Sequence, residues 1–244
     1  MTAFLASVKS LEEARMVLEH GADVVDLKQP AIGVLGAMSS ELAVEITRFV
    51  GGRCTVSATI GDLPCAPDVL APAVKRMLAA GVDIVKVGVF EPQPPAKWWF
   101  ELRRLCAQGW RIIAVLFADR APELGLLQCG AESGLYGIML DTAAKEDGSL
   151  RDWLEDKQIE AFIRRAQGLG LCAGLAGSLG VDDINPLLCL KPDYLGFRGA
   201  LCHHRDRIAA LDPSLVARVR RQIPEGCDAV FSTQTLVNRE EVTQ

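Results

Sequence analysis

The alternation of short apolar runs with amphipathic segments most constrains what this chain can fold into. Eight runs occur, and each is followed by a turn signal and a helical pattern. Such alternation predicts a parallel sheet covered by helices on both faces. Eight repeats in 244 residues leave no sequence for a second domain, which favours a closed barrel over an open doubly wound sheet. We therefore predict an α/β fold, a single (β/α)8 TIM barrel over residues 1–225, followed by a C-terminal tail of unknown role at 226–244.

The predicted elements follow directly from this pattern. The strands are "TAFLASV", "DVVDLKQ", "CTVSATIGD", "DIVKVGVF", "RIIAVLFAD", "YGIMLDT", "LCAGLAGS" and "DYLGFRGA". The helices are predicted at 10–20, 40–50, 67–80, 95–108, 122–129, 150–169, 181–190 and 214–223. Ser10 and Glu13 form a Ser-x-x-Glu capping pattern at the start of the first helix.

Composition and charge exclude several classes of function. Half of the residues are hydrophobic, and the eight cysteines show no C-x-x-C pair and no metal-ligand spacing with the three histidines. We therefore expect reduced thiols, no metal and a cytoplasmic protein. The net charge is −5 and no long uncharged apolar run occurs, so neither nucleic acid nor membrane is expected as a partner. The small basic cluster at 218–222 is interpreted as the solvated last turn of a helix.

Charged residues stand where the predicted strands end. In the stretch "GADVVDLKQP", Asp26 and Lys28 are two residues apart and therefore share one face of the strand, opposite Val25 and Leu27. If that face is the barrel interior, both lie near its carboxyl end, where barrel enzymes keep their active sites. The same reasoning places six further charged residues at or near this rim: Asp62, Lys86, Asp119, Asp141, Lys145 and Arg198.

Three of only eight lysines, Lys28, Lys86 and Lys145, fall at this rim. Burial and neighbouring cations lower a lysine pKa toward the range in which a neutral amine attacks a carbonyl, so a Schiff base is one interpretation. The aspartates would stabilise ammonium forms, move protons or hold a lysine in place. A satisfied ion network of Asp26, Lys28 and Lys86 is the alternative interpretation, and the sequence leaves both open.

Glycine-rich turns after the last two strands suggest a phosphate site. In many barrels the loops after strands seven and eight bind phosphate through backbone amides. In "AGLAGSL" and "GFRGAL" these amides would belong to Gly177, Ser178, Gly199 and Ala200, with charge from Arg198. Ordinary βα turns explain the same glycines equally well. The long loop after strand two, "QPAIGVLGAMSS", either covers a substrate or simply connects two elements.

The remaining polar and aromatic residues have structural interpretations. His20 suits the last turn of the first helix. His203 and His204 have no third ligand nearby in the sequence, so a metal site is not expected. Trp98 and Trp99 are interpreted as packing residues or as an oligomer contact, and we expect a homo-oligomer.

Seven motifs in this order carry a resemblance to a known family. They are "SVKSLEEA", "GADVVDLKQPAIGVLGA", "VSATIGDLP", "VDIVKVGVF", "MLDTAAKEDGSL", "CAGLAGSL" and "YLGFRGALC". Together they resemble the (5-formylfuran-3-yl)methyl phosphate synthase family of methanofuran biosynthesis, over residues 3–207. The loop at 202–207, "CHHRDR", departs from the Cys-Lys-Gly pattern usual in that family, which puts the details of a second phosphate site in doubt.

The resemblance implies an activity and residue roles. The activity is a lyase that joins two molecules of glyceraldehyde 3-phosphate into a furan aldehyde phosphate, with loss of phosphate and water and without a cofactor. Lys28 would form the Schiff base, Lys86 would accept a proton, and Asp141 and Lys145 would assist. From the strand-end pattern, and not from the resemblance, Asp26 would orient or pair with Lys28, and Asp119 is a further catalytic candidate. A class I aldolase or isomerase acting on triose phosphates, and a non-catalytic barrel that binds a phosphorylated ligand, remain as alternatives.

Overall fold

Eight parallel strands form a closed barrel in which each strand pairs with its neighbours in chain order, and β1 pairs with β8. The computed structural model describes residues 1–145 and 147–224. The single (β/α)8 barrel predicted from the alternation is thereby confirmed, while the predicted tail at 226–244 lies outside the described residues.

The strands and helices are short and lie close to their predicted positions. The strands are β1 Ala3–Val8, β2 Val24–Leu27, β3 Thr55–Thr59, β4 Ile84–Gly88, β5 Arg111–Phe117, β6 Gly137–Asp141, β7 Cys172–Leu175 and β8 Tyr194–Phe197. The α-helices of the described part are α1 Leu11–Glu19, α2 Ser40–Val50, α3 Pro67–Ala79, α4 Ala96–Cys106, α5 Gly125–Glu132, α6 Leu150–Trp153, α7 Asp156–Gly168, α8 Val181–Cys189 and α9 Pro213–Gln222.

The largest difference from the prediction is the segment predicted as one helix at 150–169, which forms two helices. Leu154 between them is extended, with φ −130° and ψ 136°, and its side chain packs against the core. The N–H of Glu155 donates to the side-chain oxygen of Gln158 at 2.9 Å, which caps the start of α7. The apolar spacing continues across this break, so periodicity alone could not reveal it. α5 also begins three residues later than predicted, at Gly125.

The two faces of each strand differ as the residue spacing predicts. Val25 and Leu27 belong to the large apolar cluster between the strands and the helices, whereas Asp26 points into the barrel. The lower interior is filled by a separate apolar cluster that includes Tyr194. A Cβ atom at Gly174 would lie 1.9 Å from the Tyr194 ring, so only glycine leaves room for this side chain. The amino-terminal part of the barrel interior is therefore filled by apolar side chains.

Three aspartates tie adjacent strands together at the amino ends of the barrel. Each precedes a strand and accepts a hydrogen bond from the N–H of the second residue of the preceding strand. The pairs are Asp23 with Phe4 at 2.7 Å, Asp83 with Val56 at 2.9 Å and Asp193 with Ala173 at 2.6 Å. Asp23 and Asp83 each stand two residues after a glycine, in "GAD" and "GVD", and this shared pattern therefore has a structural role at the amino ends of the strands.

Arg220 closes the same end of the barrel, and it corrects the interpretation of 218–222 as a solvated turn. Its side chain is buried, pairs with Asp23 at 2.9 Å and donates to the carbonyl of Gly21 at 2.8 Å. The guanidinium also stacks over the ring of Phe4.

The described residues contain no helix both long enough and apolar enough to cross a membrane.

Candidate active site

The side chain of Lys28 lies at the carboxyl end of β2. It lies in the opening of the barrel at the carboxyl ends of the eight strands, which we call the barrel mouth. The backbone N–H of Lys28 donates to the carbonyl of Val8 at 3.0 Å, so the strand pairing continues to this residue and its side chain points inward. It is 7% exposed, and its Nζ lies 3.9 Å from Oδ2 of Asp141. Burial lowers the pKa of Lys28 to about 7; Asp141 opposes this shift, and the charges of Lys145 and Lys86 add to it. A large fraction of this amine is neutral near pH 7.

Asp26 and Lys86 form a fully buried pair one layer below. Lys86 Nζ lies 2.6 Å from Oδ1 of Asp26. The hydroxyl groups of Ser7 and Ser57 each donate to the same carboxylate at 2.7 Å. Both serines lie opposite Asp26 in the strand register. Neither serine is among the predicted site residues, although both lie on the inward-facing side of their strands.

The carboxylate of Asp141 binds two lysines, one on each oxygen. Lys28 approaches Oδ2, while Lys145 donates to Oδ1, which also accepts from the N–H of Thr142 at 2.8 Å. Burial raises the pKa of Asp141, but the charges of Lys145 and Lys28 and these hydrogen bonds outweigh it and lower the pKa to about 2. Burial lowers the pKa of Lys145, against the opposing effect of Asp141. Asp141 is therefore an anion at neutral pH and cannot itself donate a proton.

Two aspartates at the rim hold loops instead of touching the lysines. Asp119 accepts hydrogen bonds from the backbone N–H groups of 143–144 at 2.8 and 2.7 Å, just before Lys145. Asp62 accepts from those of 34–35 at 2.8 and 2.7 Å, in the long loop after β2. Asp119 thus supports the loop that carries Lys145, and its catalytic role stays a prediction.

The side chain of Arg198 is bound by protein groups on all sides. Its two Nη groups bind the carboxylate of Glu13, and its remaining bonds go to the carbonyls of Ser7, Arg207 and Ala209. These contacts use all five of its N–H donors. The prediction that Arg198 supplies charge to a phosphate stays a prediction, and this geometry leaves none of its N–H donors unused. Glu13 was predicted to complete a helix cap, but its carboxylate instead accepts from the N–H of Lys9 at 2.8 Å.

The glycine-rich turns lie at the mouth and are tied to neighbouring loops. Gly177 has φ +100°, and a Cβ atom there would lie 3.0 Å from the backbone nitrogen of Thr142. The Ser178 hydroxyl donates to the carbonyl of Lys145 at 2.9 Å. Gly199 and Ala200 begin a single 3-10 turn. A phosphate site built from these four residues stays a prediction.

Arg207 lies at the mouth but is not among the predicted site residues, because it is ten residues beyond the end of β8. Its Nη2 donates to the carbonyl of Gly33 at 3.0 Å, across the mouth. Burial lowers its pKa, with Asp141 acting in the opposite direction.

His203 in the same loop pairs with Asp212 at 2.6 Å. Within the described ranges, no group of three or more metal-ligating side chains occurs.

Comparisons with known proteins find similar sequences over most of the chain. A family model described as 4-HFC-P synthase matches residues 4–220. The chain is 41% identical to a protein of Methylorubrum extorquens over 216 residues, which cover 88% of each chain. It is 34% identical to the (5-formylfuran-3-yl)methyl phosphate synthase of Methanopyrus kandleri, covering 83% of this chain and 90% of that protein.

Among solved structures, the phosphoribosyl anthranilate isomerase of Thermotoga maritima has the same fold. It superimposes with a TM-score of 0.66 at 16% identity, over 91% of this chain and 98% of that one. This likeness concerns the barrel alone. The family model and the relatives, which span most of the chain, go further: the chain belongs to the 4-HFC-P synthase family.

Proposed function

We propose that this protein is a lyase that condenses two molecules of glyceraldehyde 3-phosphate into (5-formylfuran-3-yl)methyl phosphate, as a step of methanofuran biosynthesis. The observation that carries the proposal is the Lys28 amine, buried and lowered in pKa to about 7, beside the Asp141 carboxylate. An amine of this kind attacks carbonyls at neutral pH without a prior deprotonation. The name of the Methanopyrus kandleri relative, (5-formylfuran-3-yl)methyl phosphate synthase, supports the product.

Proton transfer during imine formation falls to Lys145 in this proposal. The carbinolamine on Lys28 must lose water, which needs a proton donor close to the amine. Asp141 is ionised, so it orients both lysines and stabilises the iminium charge, while the Lys145 ammonium held on its other oxygen supplies the proton. The lowered pKa of Lys145 makes it a stronger acid than an ordinary lysine.

Lys86, in its neutral amine form, takes the proton that leaves the carbon next to the iminium. Asp26, 2.6 Å away, stabilises the ammonium that results, and the hydroxyl groups of Ser7 and Ser57 fix the carboxylate. The product of this step is an enamine on Lys28, with the iminium as the electron sink. The role of Asp26 is thus to stabilise Lys86, and it does not touch Lys28 directly.

The remaining steps follow from the carbon skeleton. One triose phosphate isomerises to dihydroxyacetone phosphate, whose ketone condenses with Lys28. The enamine carbon then attacks the aldehyde of the second triose phosphate. Elimination of one phosphate, ring closure and loss of two waters complete the furan, which balances all atoms of the two substrates.

Incubation with glyceraldehyde 3-phosphate tests the activity. We expect a furan chromophore and release of one inorganic phosphate per product molecule. A stable sugar phosphate without phosphate release would instead assign the class I aldolase alternative. No reaction, together with no borohydride-reduced adduct on Lys28 by peptide mass mapping, would leave a non-catalytic barrel.

Replacement of Lys28 tests the covalent step. Lys28→Arg keeps the charge but has no neutral amine at working pH, so we expect turnover to fall by at least about a thousandfold with the fold retained. Lys157→Arg, at an exposed position of α7, is the matched control and should match the wild type. Turnover of Lys28→Arg near the wild-type value would refute the assignment.

A further inference from the structure

The cations of the mouth differ in how fully their donors are used. The described contacts of Arg198 occupy all five of its N–H groups, and the three lysines share the two carboxylates of Asp26 and Asp141. Arg207 donates one hydrogen bond among the residues that the structure describes. Its guanidinium therefore has donors left for a ligand.

The backbone around Arg207 is fixed from below. Arg198 donates through Nε to the carbonyl of Arg207 at 2.8 Å and through Nη2 to that of Ala209 at 2.7 Å. Because Arg198 is itself held by buried Glu13, this pair anchors the start of the Arg207 side chain to α1. Arg198 thus acts as a positioning residue for Arg207.

The side chain of Arg207 then crosses the mouth to the loop after β2. It meets the carbonyl of Gly33, next to the two N–H groups that Asp62 binds. A Cβ atom at Gly33 would lie 2.6 Å from Oδ2 of Asp62, so the loop approaches closely here. This loop directly follows Lys28 in the chain. Arg207 therefore spans the entrance above the amine.

The hydrogen-bond donors left at the mouth favour an anionic ligand. Three lysines and Arg207 lie among four carboxylates, but Asp62 and Asp119 each already accept two backbone N–H bonds, so in the described part of the chain Arg207 keeps donors that no carboxylate accepts. Burial lowers the pKa of Arg207, which indicates a desolvated cation that an anion would stabilise. A guanidinium fork matches two oxygens of a phosphate ester.

We propose that Arg207 binds the phosphate group of the substrate that condenses with Lys28, and that its bond to Gly33 holds the loop after β2 over the bound molecule. This inference deepens the proposed function and rests on a phosphorylated substrate. It replaces Arg198 by Arg207 as the cation of the phosphate site.

Binding of glycerol 3-phosphate, which has no carbonyl group and cannot react, tests the proposal by titration calorimetry. We expect Arg207→Met to weaken binding at least tenfold and Arg207→Lys to weaken it less. Arg164→Met, an exposed arginine of α7, is the control for loss of one charge and should bind as the wild type. Binding by Arg207→Met within twofold of the wild type, or no binding by the wild type, overturns the proposal.

Borohydride trapping on Lys28 separates phosphate binding from a general loss of structure. With dihydroxyacetone phosphate, whose ketone condenses with Lys28 in the proposed function, Arg207→Met should need at least tenfold more substrate for half-maximal trapping. With dihydroxyacetone, which lacks phosphate, it should match the wild type. An equal loss with both ketones would make Arg207 a structural residue and reject the proposal. If neither ketone is trapped by the wild type while glycerol 3-phosphate binding still depends on Arg207, the Schiff-base function fails and the phosphate site stands.

Discussion

At the scale of single residues, the unequal sharing of two carboxylates distinguishes the three lysines. Lys145 and Lys86 each contact a carboxylate oxygen directly, whereas Lys28 stays 3.9 Å from Asp141. A longer contact gives less electrostatic compensation for burial. Lys28 is consequently the lysine that best combines burial with weak pairing, which is what an imine-forming amine requires.

The pKa of Lys28 predicts how its reactivity depends on pH. Its acetylation rate with acetic anhydride should rise with pH through about 7 and level off above about 8, because the amine is then fully neutral. Exposed Lys157, measured in the same protein by mass spectrometry, should keep rising to at least pH 9.5. Asp141→Asn removes an opposing charge and should move the Lys28 midpoint to lower pH. A Lys28 profile parallel to that of Lys157 would contradict the assignment.

Asp26 has a stabilising role that can be separated from catalysis. Asp26→Asn leaves the buried Lys86 ammonium without its anion, so we expect about 3 kcal/mol lower free energy of unfolding in urea and at least tenfold lower turnover. Asp26→Asn combined with Lys86→Met removes the uncompensated charge as well. This double variant should recover part of the stability and none of the activity. If the double variant is no more stable than Asp26→Asn, the stability lost in Asp26→Asn does not come from the charge on Lys86.

At the scale of secondary-structure elements, the sequence predicts well where the strands lie and which of their residues face inward, because both depend on neighbouring residues in the chain. The strand patterns place Asp26, Lys28 and Lys86 correctly inside the barrel. Contacts between elements distant in the chain are not predictable in this way. Arg198 is bound by Glu13 from α1, 185 residues away, and nothing in its own strand indicates this partner. The same limit hides Arg207, whose loop has no periodicity.

The loop between β6 and α6 depends on an aspartate from the neighbouring strand end. Asp119→Ala removes two hydrogen bonds to the backbone before Lys145, so that ammonium should lose its fixed place on Asp141. We expect the free energy of unfolding to fall by about 1–2 kcal/mol, because two hydrogen bonds are lost. We expect kcat to fall about tenfold, because Lys145 is then less well placed to donate its proton. Borohydride trapping of Lys28 at long times should be retained. Asp68→Ala, at an exposed position of α3, is the control, and an equal loss in both variants would exclude a specific role.

At the scale of the whole molecule, barrel closure allows charges from distant segments to share one small volume. Closure brings β2 and β6 to opposite sides of one interior, where Lys28 and Asp141 meet over a packed apolar layer. The fold buries three lysines next to two carboxylates. Burial of the third positive charge therefore lowers the free energy of unfolding, because no carboxylate is left to pair with it closely. The predicted homo-oligomer stays a prediction.

That cost should be visible as a pH dependence of global stability. Lys28 releases its proton near pH 7 in the folded protein and near 10.5 in the unfolded chain. Between these values the unfolded chain binds more protons, so the contribution of Lys28 to the free energy of unfolding rises with pH, whereas below about pH 7 the cost of its burial is complete.

We therefore expect the free energy of unfolding of the wild type, relative to Lys28→Met, to rise steadily between pH 7 and pH 9.5. Urea unfolding at four pH values measures this difference, and the comparison cancels groups that titrate equally in both proteins. Lys157→Met, which removes an exposed lysine, should show a flat difference over the same range. A flat or falling difference for Lys28→Met would mean that Lys28 keeps an ordinary pKa in the folded barrel, and the neutral amine on which imine formation depends would then be absent at physiological pH.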